Sequence, residues 1–156
     1  MEAWFVDSLP DWWPDGPRHD VELVWRDEFN RVGLATPGWP TAYGGLGLPP
    51  NGVQAVNATL ARHQAPVPYK LGTVHMIGTV LMEMARADQC LELLPRLAAR
   101  EEVWCQLFSE PGAGSDLASL ACRADRDAEC WIVNGQKVWS SFASEAKRWL
   151  LLARSD

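Results

Sequence analysis

Gln106-Leu107-Phe108-Ser109-Glu110-Pro111-Gly112-Ala113-Gly114-Ser115-Asp116 is the stretch on which the reading of the chain turns. An apolar, extended run, Val103 to Phe108, leads into it, and a proline and two glycines then lie between the hydroxyls of Ser109 and Ser115. Pro111 cannot donate to a strand ladder and fixes its own φ. Gly112 and Gly114 admit backbone shapes that other residues resist, and they carry no side chain to keep a ligand off the main chain. Successive N–H groups in such a loop form a concave donor surface for an anion or a ligand rich in acceptors. On these residues alone an ordinary Pro-Gly turn stays open beside the ligand loop, and it is the commoner of the two.

A second stretch, Val133-Asn134-Gly135-Gln136-Lys137-Val138-Trp139-Ser140-Ser141, bears on that choice. Asn134-Gly135 between apolar alternations is a hairpin signal, and it predicts a following strand that ends on a large ring and two hydroxyls. Read together, Ser109 to Asp116, Asn134 to Lys137, Trp139 to Ser141 and Leu150 to Asp156 resemble, in order and spacing, the signature of the acyl-CoA dehydrogenase family of flavoproteins. The resemblance runs from about Glu22 onward and is weakest over the first twenty residues.

The resemblance implies FAD as cofactor, an acyl-CoA thioester as substrate and an electron-transfer acceptor as partner. Gln106, Phe108, Ser109, Gly114, Ser115, Trp139, Ser140 and Ser141 are the positions it assigns to the cofactor. Ser109 and the N–H groups around it would serve the pyrimidine edge of the flavin, and Trp139 would cover the ring system. Ser141 would donate toward the redox-active nitrogen, while Gly114 and Ser115 suit the pyrophosphate. Ser115 would also touch the CoA portion of the substrate. Ser109 stands where the family more often has Thr, which keeps the hydroxyl, and Ser140 departs modestly from the usual apolar or Thr residue. Outside the resemblance, Trp139 reads first as a plain core tryptophan.

In the family the catalytic base is a glutamate in a later helical domain, so the base is expected beyond residue 156 and no catalytic residue is named within the chain. Glu110 reads as a backbone-bonding member of its loop. The Trp104-Cys105-Gln106 version of the first motif is similar to actinobacterial branches that act on bulky, steroid-like side chains, some of them built from two unlike subunits. A homo- or hetro-oligomer is therefore expected. Two other readings stay open: a non-catalytic partner subunit, and an acyl-CoA oxidase.

Composition narrows the classes. Of 156 residues 47% are hydrophobic, which affords a sizeable core, and nine are tryptophan, which suits apolar pockets. A net charge of −6 argues against nucleic acid as a partner. Cys90, Cys105, Cys122 and Cys130 show no zinc spacing and read as free thiols of a reducing compartment. No stretch approaches the roughly 18–20 apolar residues of a membrane span, and Met1-Glu2 opens no secretory signal. A cytoplasmic protein is the expectation.

Along the chain, Trp4, Phe5, Trp12 and Trp13 among prolines predict a surface arm. Asp20 is expected to cap a helix to about Val32 with Gly33 at its end. The loop 34–50 follows, its Gly44-Gly45 pair marking a close backbone crossing and its Tyr43 a packing rather than a ligand position. Asn51 is expected to cap a helix to about Gln64. Tyr69 to Arg86 is apolar on most sides and predicts a central helix with Met76, Met82 and Met84 in the core. On it, His75 reads as a core or pocket-lining residue. A short helix from Asp88 to Leu94 is expected to restart at Pro95. Past residue 102 the pattern turns to strands at 103–109, 120–126, 130–140 and 147–154, with Asp127-Ala128 in a hairpin position that glycine would suit better. The fold class is α+β: an amino-terminal α-helical bundle, 1–102, followed by the first strands of an incomplete antiparallel β-barrel domain, 103–156.

Overall fold

The computed structural model describes residues 19–67 and 71–155, and the described chain is α+β. The arm carrying Trp4, Phe5, Trp12 and Trp13, and the start of the third helix at Tyr69, fall outside the described residues. Two compact units divide between Glu101 and Glu102. No described helix is long and apolar enough to cross a membrane.

In the helical unit, α1 spans His19–Arg31, α2 Pro50–Arg62, α3 Leu71–Met84 and α4 Ala87–Ala99. α1 begins two residues earlier than a cap at Asp20 would place it, so Asp20 lies inside its first turn. Trp25 and Phe29, four residues apart on one face, pack with Leu34, Ala35, Val56 and Leu60 into the core. The Trp25 indole stays satisfied by donating Nε1–H to the Pro66 carbonyl at 3.0 Å. α1 ends as expected on Gly33, at φ 78, with Leu34 N–H bonded to Phe29 O at 3.1 Å and Gly33 N–H to Asn30 O at 3.0 Å. α2 and α4 end with the same pair of bonds, but on Gln64 (φ 52) and Arg100 (φ 57). No glycine signalled those two closures. α2 begins on Pro50, the residue whose missing N–H is tolerated there, and Asn51 sits inside its first turn instead of capping it.

α4 differs from the two short pieces expected. It starts at Ala87 after Arg86, whose N–H is taken by the Gln89 side chain at 3.1 Å, and it continues through Pro95. Continuation is possible because α4 is held from the side: a Cβ on Gly44 would lie 2.8 Å from Ala98 Cβ and 3.5 Å from Pro95 Cα. The Gly44-Gly45 segment is thus a close backbone crossing, and half-buried Tyr43 forms part of the single 3-10 turn before it.

α3 buries Val74 and Ile77, whereas Met76 and Met82 are half-buried and Met84 is 82% exposed. The all-round core helix is therefore not realised for Met84. One face of α3 meets Trp39, and His75 stands exposed with its ring edge-on to that indole, the two ring centroids 6.2 Å apart. Trp39 lies so close to the helix that a Cβ at Gly78 would fall inside its ring.

In the second unit, β1 (Trp104–Leu107) pairs with β4 (Arg148–Leu151), and β2 (Arg123–Asp127) with β3 (Cys130–Asn134). β2–β3 is antiparallel, Arg123 opposite Asn134, but β1–β4 is parallel, Trp104 opposite Arg148, a departure from the all-antiparallel pattern expected. The chain after β4 links the two pairs: Ala124 N–H donates to Arg154 O at 2.7 Å and Arg154 N–H to Cys122 O at 2.9 Å.

The hairpin turn is Ala128-Glu129, where sequence placed the weaker signal, and Ala128 takes a left-handed φ of 47. Asn134-Gly135 makes no hairpin. β3 ends at Asn134, and residues 136–138 leave the sheet, with Lys137 and Val138 bonding to residues 108–110 instead. Gly135 is instead a crossing point, since a Cβ there would lie 2.8 Å from Cys122 Cα, Cβ and Sγ.

Two glycines on α3 give opposite expectations. Gly78→Ala overlaps Trp39 and is expected to destabilise the helical unit by about 1–3 kcal/mol. Gly72→Ala meets nothing within 4 Å and is expected to be neutral or stabilising by up to about 0.5 kcal/mol. Urea melts of both variants followed by far-UV circular dichroism check this. Ala128→Gly, relieving the left-handed alanine, is expected to stabilise the second unit by roughly 1 kcal/mol, read from its own unfolding transition.

Candidate functional site

The Ser109–Asp116 loop is closed by its own main chain and by one buried charge. Glu110 and Ala113 exchange N–H to carbonyl bonds at 2.8 and 3.1 Å across the Pro111-Gly112 corner. The Glu110 side chain is 8% exposed. Its Oε2 accepts from Ala121 N–H at 2.7 Å, and its Oε1 accepts from Cys122 N–H at 2.9 Å and from Lys137 Nζ at 2.7 Å. Lys137 is 7% exposed and also donates to the Phe108 carbonyl at 3.0 Å. The Lys137 ammonium, followed by the Ala121 and Cys122 amides, outweighs burial and lowers the Glu110 carboxyl to about 2. The expected backbone-bonding role is thus real but not local, since the amides lie 11 and 12 residues further on.

Lys137 is the residue to which sequence reasoning gave no role. Its signal was present: it is the only cation between Trp131 and Trp139, in a stretch otherwise apolar or uncharged. Arg154 is a second such residue, with Nε donating to Leu120 O and Nη2 to Ala118 O, each at 2.8 Å, which pins the 3-10 turn Leu117–Ser119.

Of the expected site residues, Gln106 lies in β1 opposite Leu150, and Phe108 and Ser109 follow it half-buried. Val138 N–H donates to Ser109 O at 2.9 Å, which brings the Trp139-Ser140-Ser141 segment to the first loop. That segment is an irregular bend and not the end of a strand. Trp139 has a left-handed φ of 54 and its side chain is 80% exposed, so the plain core tryptophan is not what the fold makes of it. A left-handed non-glycine residue costs about 1–2 kcal/mol, as much as or more than the about 0.5–1.5 kcal/mol that one main-chain hydrogen bond typically contributes. An indole so exposed adds little burial to offset it. Next to it, Ser140 Oγ is buried with no hydrogen-bond partner among the described residues, and Ser141 is exposed.

Gly114 and Ser115 are exposed beyond the Glu110–Ala113 turn. Neither Gly112 nor Gly114 has a positive φ, and a Cβ on either would meet nothing within 4 Å. Neither glycine uses the backbone freedom expected of it, but each leaves the main chain open to approach, and the chain's own packing does not require glycine at either position. Cys105 is buried, which pushes its thiol up, and no described group of His, Cys, Asp or Glu could hold a metal ion.

Comparison with known proteins matches residues 6–101 to the family profile described as acyl-CoA dehydrogenase, N-terminal domain, and residues 105–156 to acyl-CoA dehydrogenase, middle domain. Acyl-CoA dehydrogenase IpdE1 of Mycobacterium tuberculosis is 39% identical, over 100% of this chain and 43% of its own length. The crystal structure of the ChsE4–ChsE5 complex from Mycobacterium tuberculosis superposes with a TM-score of 0.68 at 35% identity, over 85% of this chain and 35% of that one. A glutaryl-CoA dehydrogenase from Mycobacterium smegmatis in complex with FADH2 gives 0.64 at 26% identity, over 84% and 34%. The chain spans less than half the length of the curated relatives it matches.

The lowered Glu110 carboxyl gives a pH expectation. A group whose pKa is lower in the folded state stabilises fully above its unfolded value, here 4.5, and loses that contribution as pH falls toward about 2. Stability of the second unit is expected to drop across that window. Glu110→Gln is expected to be less stable at neutral pH and to show a shallower drop, measured by denaturant melts at stepped pH.

Proposed function

Because the chain belongs to the acyl-CoA dehydrogenase family, we propose that it contributes the helical part and the opening of the middle β part of an FAD-dependent enzyme that dehydrogenates an acyl-CoA thioester at its α,β bond. The observation that carries this reading is Trp139: an indole 80% exposed, at a left-handed φ, one residue past the amide bonded to Ser109 O. Its exposed face gives a flat aromatic ligand a surface to stack on.

The residues present fit a flavin. Gly112 and Gly114 leave the loop backbone open to a phosphate-bearing tail, and Ser140 Oγ is a buried hydroxyl with no partner among the described residues. Ser109 and the amides around Phe108 would hold the pyrimidine edge, Gln106 would support that loop from β1, and Ser141 would donate toward the reactive nitrogen. Gly114 and Ser115 would take the pyrophosphate, with Ser115 also toward the CoA portion. When bound, FAD supplies the hydride acceptor.

The general base belongs outside residues 1–156. Glu110, the carboxylate that follows Ser109, already accepts from three donors and is held near 2, too weak a base to take an α-proton. An acyl-CoA substrate, an electron-transfer acceptor and a cytoplasmic location belong to the same proposal. The similarity to a ChsE4–ChsE5 complex favours a second form of it, in which the chain works in a hetero-oligomer, and the similarity to a structure described as a Tcur3481–Tcur3483 steroid ACAD favours a bulky, steroid-like acyl group.

Titrating the intact protein with FAD, followed by flavin fluorescence, is expected to give saturable binding. Trp139→Ala and Ser141→Ala are each expected to weaken it about ten-fold or more. Unchanged affinity in both variants would remove the grip. Residues 1–156 alone are expected to show no turnover in a dye-reduction assay with acyl-CoAs, and turnover there would overturn the placement of the base.

A further inference from the structure

We propose that the buried Glu110–Lys137 pair is a positioning device, which sets the Trp139-Ser140-Ser141 segment in one register against the Ser109 loop. This rests on reading the two stretches as a flavin grip, and it adds what holds the grip in shape.

Three consecutive residues of the first loop, Phe108 to Glu110, accept one bond each from the consecutive residues Lys137 and Val138 of the second. Lys137 Nζ reaches Phe108 O at 3.0 Å and Glu110 Oε1 at 2.7 Å, and Val138 N–H reaches Ser109 O between them at 2.9 Å. The ammonium therefore straddles Ser109. A slip by one residue would bury the charge without its carboxylate, a state a low-dielectric interior penalises heavily. A buried ion pair often contributes little net stability over apolar side chains of the same size, so what this one supplies is geometry. The geometry needs supplying, because the segment beyond it is strained and little buried. Trp139 and Phe142 both have left-handed φ, 54 and 65, and Ser141 is exposed.

The same unit contains a control. Arg148 Nε bonds Glu102 Oε2 at 2.6 Å, with the Glu102 side chain 11% exposed, and Arg148 stands 5.9 Å from the Trp104 ring. That pair lies beside the start of β1, with Arg148 in register opposite Trp104.

The test uses the intact protein with Lys137→Met, Lys137→Gln and, as control, Glu102→Gln. In the absence of flavin, amide hydrogen exchange of Lys137→Met is expected to rise about ten-fold or more at residues 138–142, while the β2–β3 amides keep their protection. FAD affinity is expected to fall about ten-fold or more, and the flavin absorption bands of the saturated variant are expected to shift from those of the parent. Glu102→Gln is expected to lower the thermal midpoint without either change. The proposal is overturned if exchange rises uniformly over residues 102–155, if both Lys137 variants lose the fold of the whole unit, if folded variants bind FAD as the parent does, or if Glu102→Gln weakens FAD equally. Failure of the parent itself to bind FAD would sink the flavin reading, and the exchange pattern would still decide whether the pair sets the register.

Discussion

Glu110 receives the amides of Ala121 and Cys122 and the ammonium of Lys137, and none of these residues lies in a regular strand. Three pieces of irregular chain are thus fastened to one carboxylate, nearly excluded from water. An unpaired charge in that position would be costly, so each donor constrains the others. The corner at Pro111-Gly112, the crossing of Gly135 over Cys122 and the approach of Val138 to Ser109 follow from that constraint. Regular strand pairing contributes short ladders, and the polar cluster joins what they leave apart.

The helical unit is organised differently. Its constraint is steric, and it centres on loop residues as much as on helices. Trp39 packs against α3 where Gly78 leaves room, Gly44 lets the loop backbone meet Pro95 and Ala98 on α4, and Thr36 is fully buried with Oγ1 donating to Gly44 O at 3.3 Å. A loop this tightly engaged explains why α4 runs through a proline. The lateral contacts compensate for the one backbone bond that Pro95 cannot make.

Much of the organisation was legible in the residues. Trp25, Phe29, Val56 and Leu60 declared their buried faces by helical spacing, and the passage from helices to strands near residue 102 showed in the change of period. Local signals failed where a distant partner outcompeted them. Asn134-Gly135 is a strong hairpin dipeptide, yet Lys137 and Val138 find their partners in residues 108–110, and the glycine serves the contact with Cys122. Ala128 turns the hairpin in spite of its side chain, because the Asp127 and Cys130 register on either side leaves only two residues for it. Met84 looked central by hydropathy and is exposed, since hydropathy reports what a side chain would prefer and not which face the neighbours cover.

By itself the sequence determined the composition of the two candidate loops, their order and spacing, the α+β class, and the family those features imply. These are properties of residue type and periodicity, carried by local backbone preference and by which side chains can be buried. Only the tertiary structure decided that Lys137 straddles Ser109, that Trp139 stands outward at a left-handed φ, and that Ser140 keeps a hydroxyl with no partner. Those outcomes depend on desolvated contacts between residues far apart in the chain. A buried charge takes whichever partner the whole fold brings within reach, and no local pattern states which one that will be.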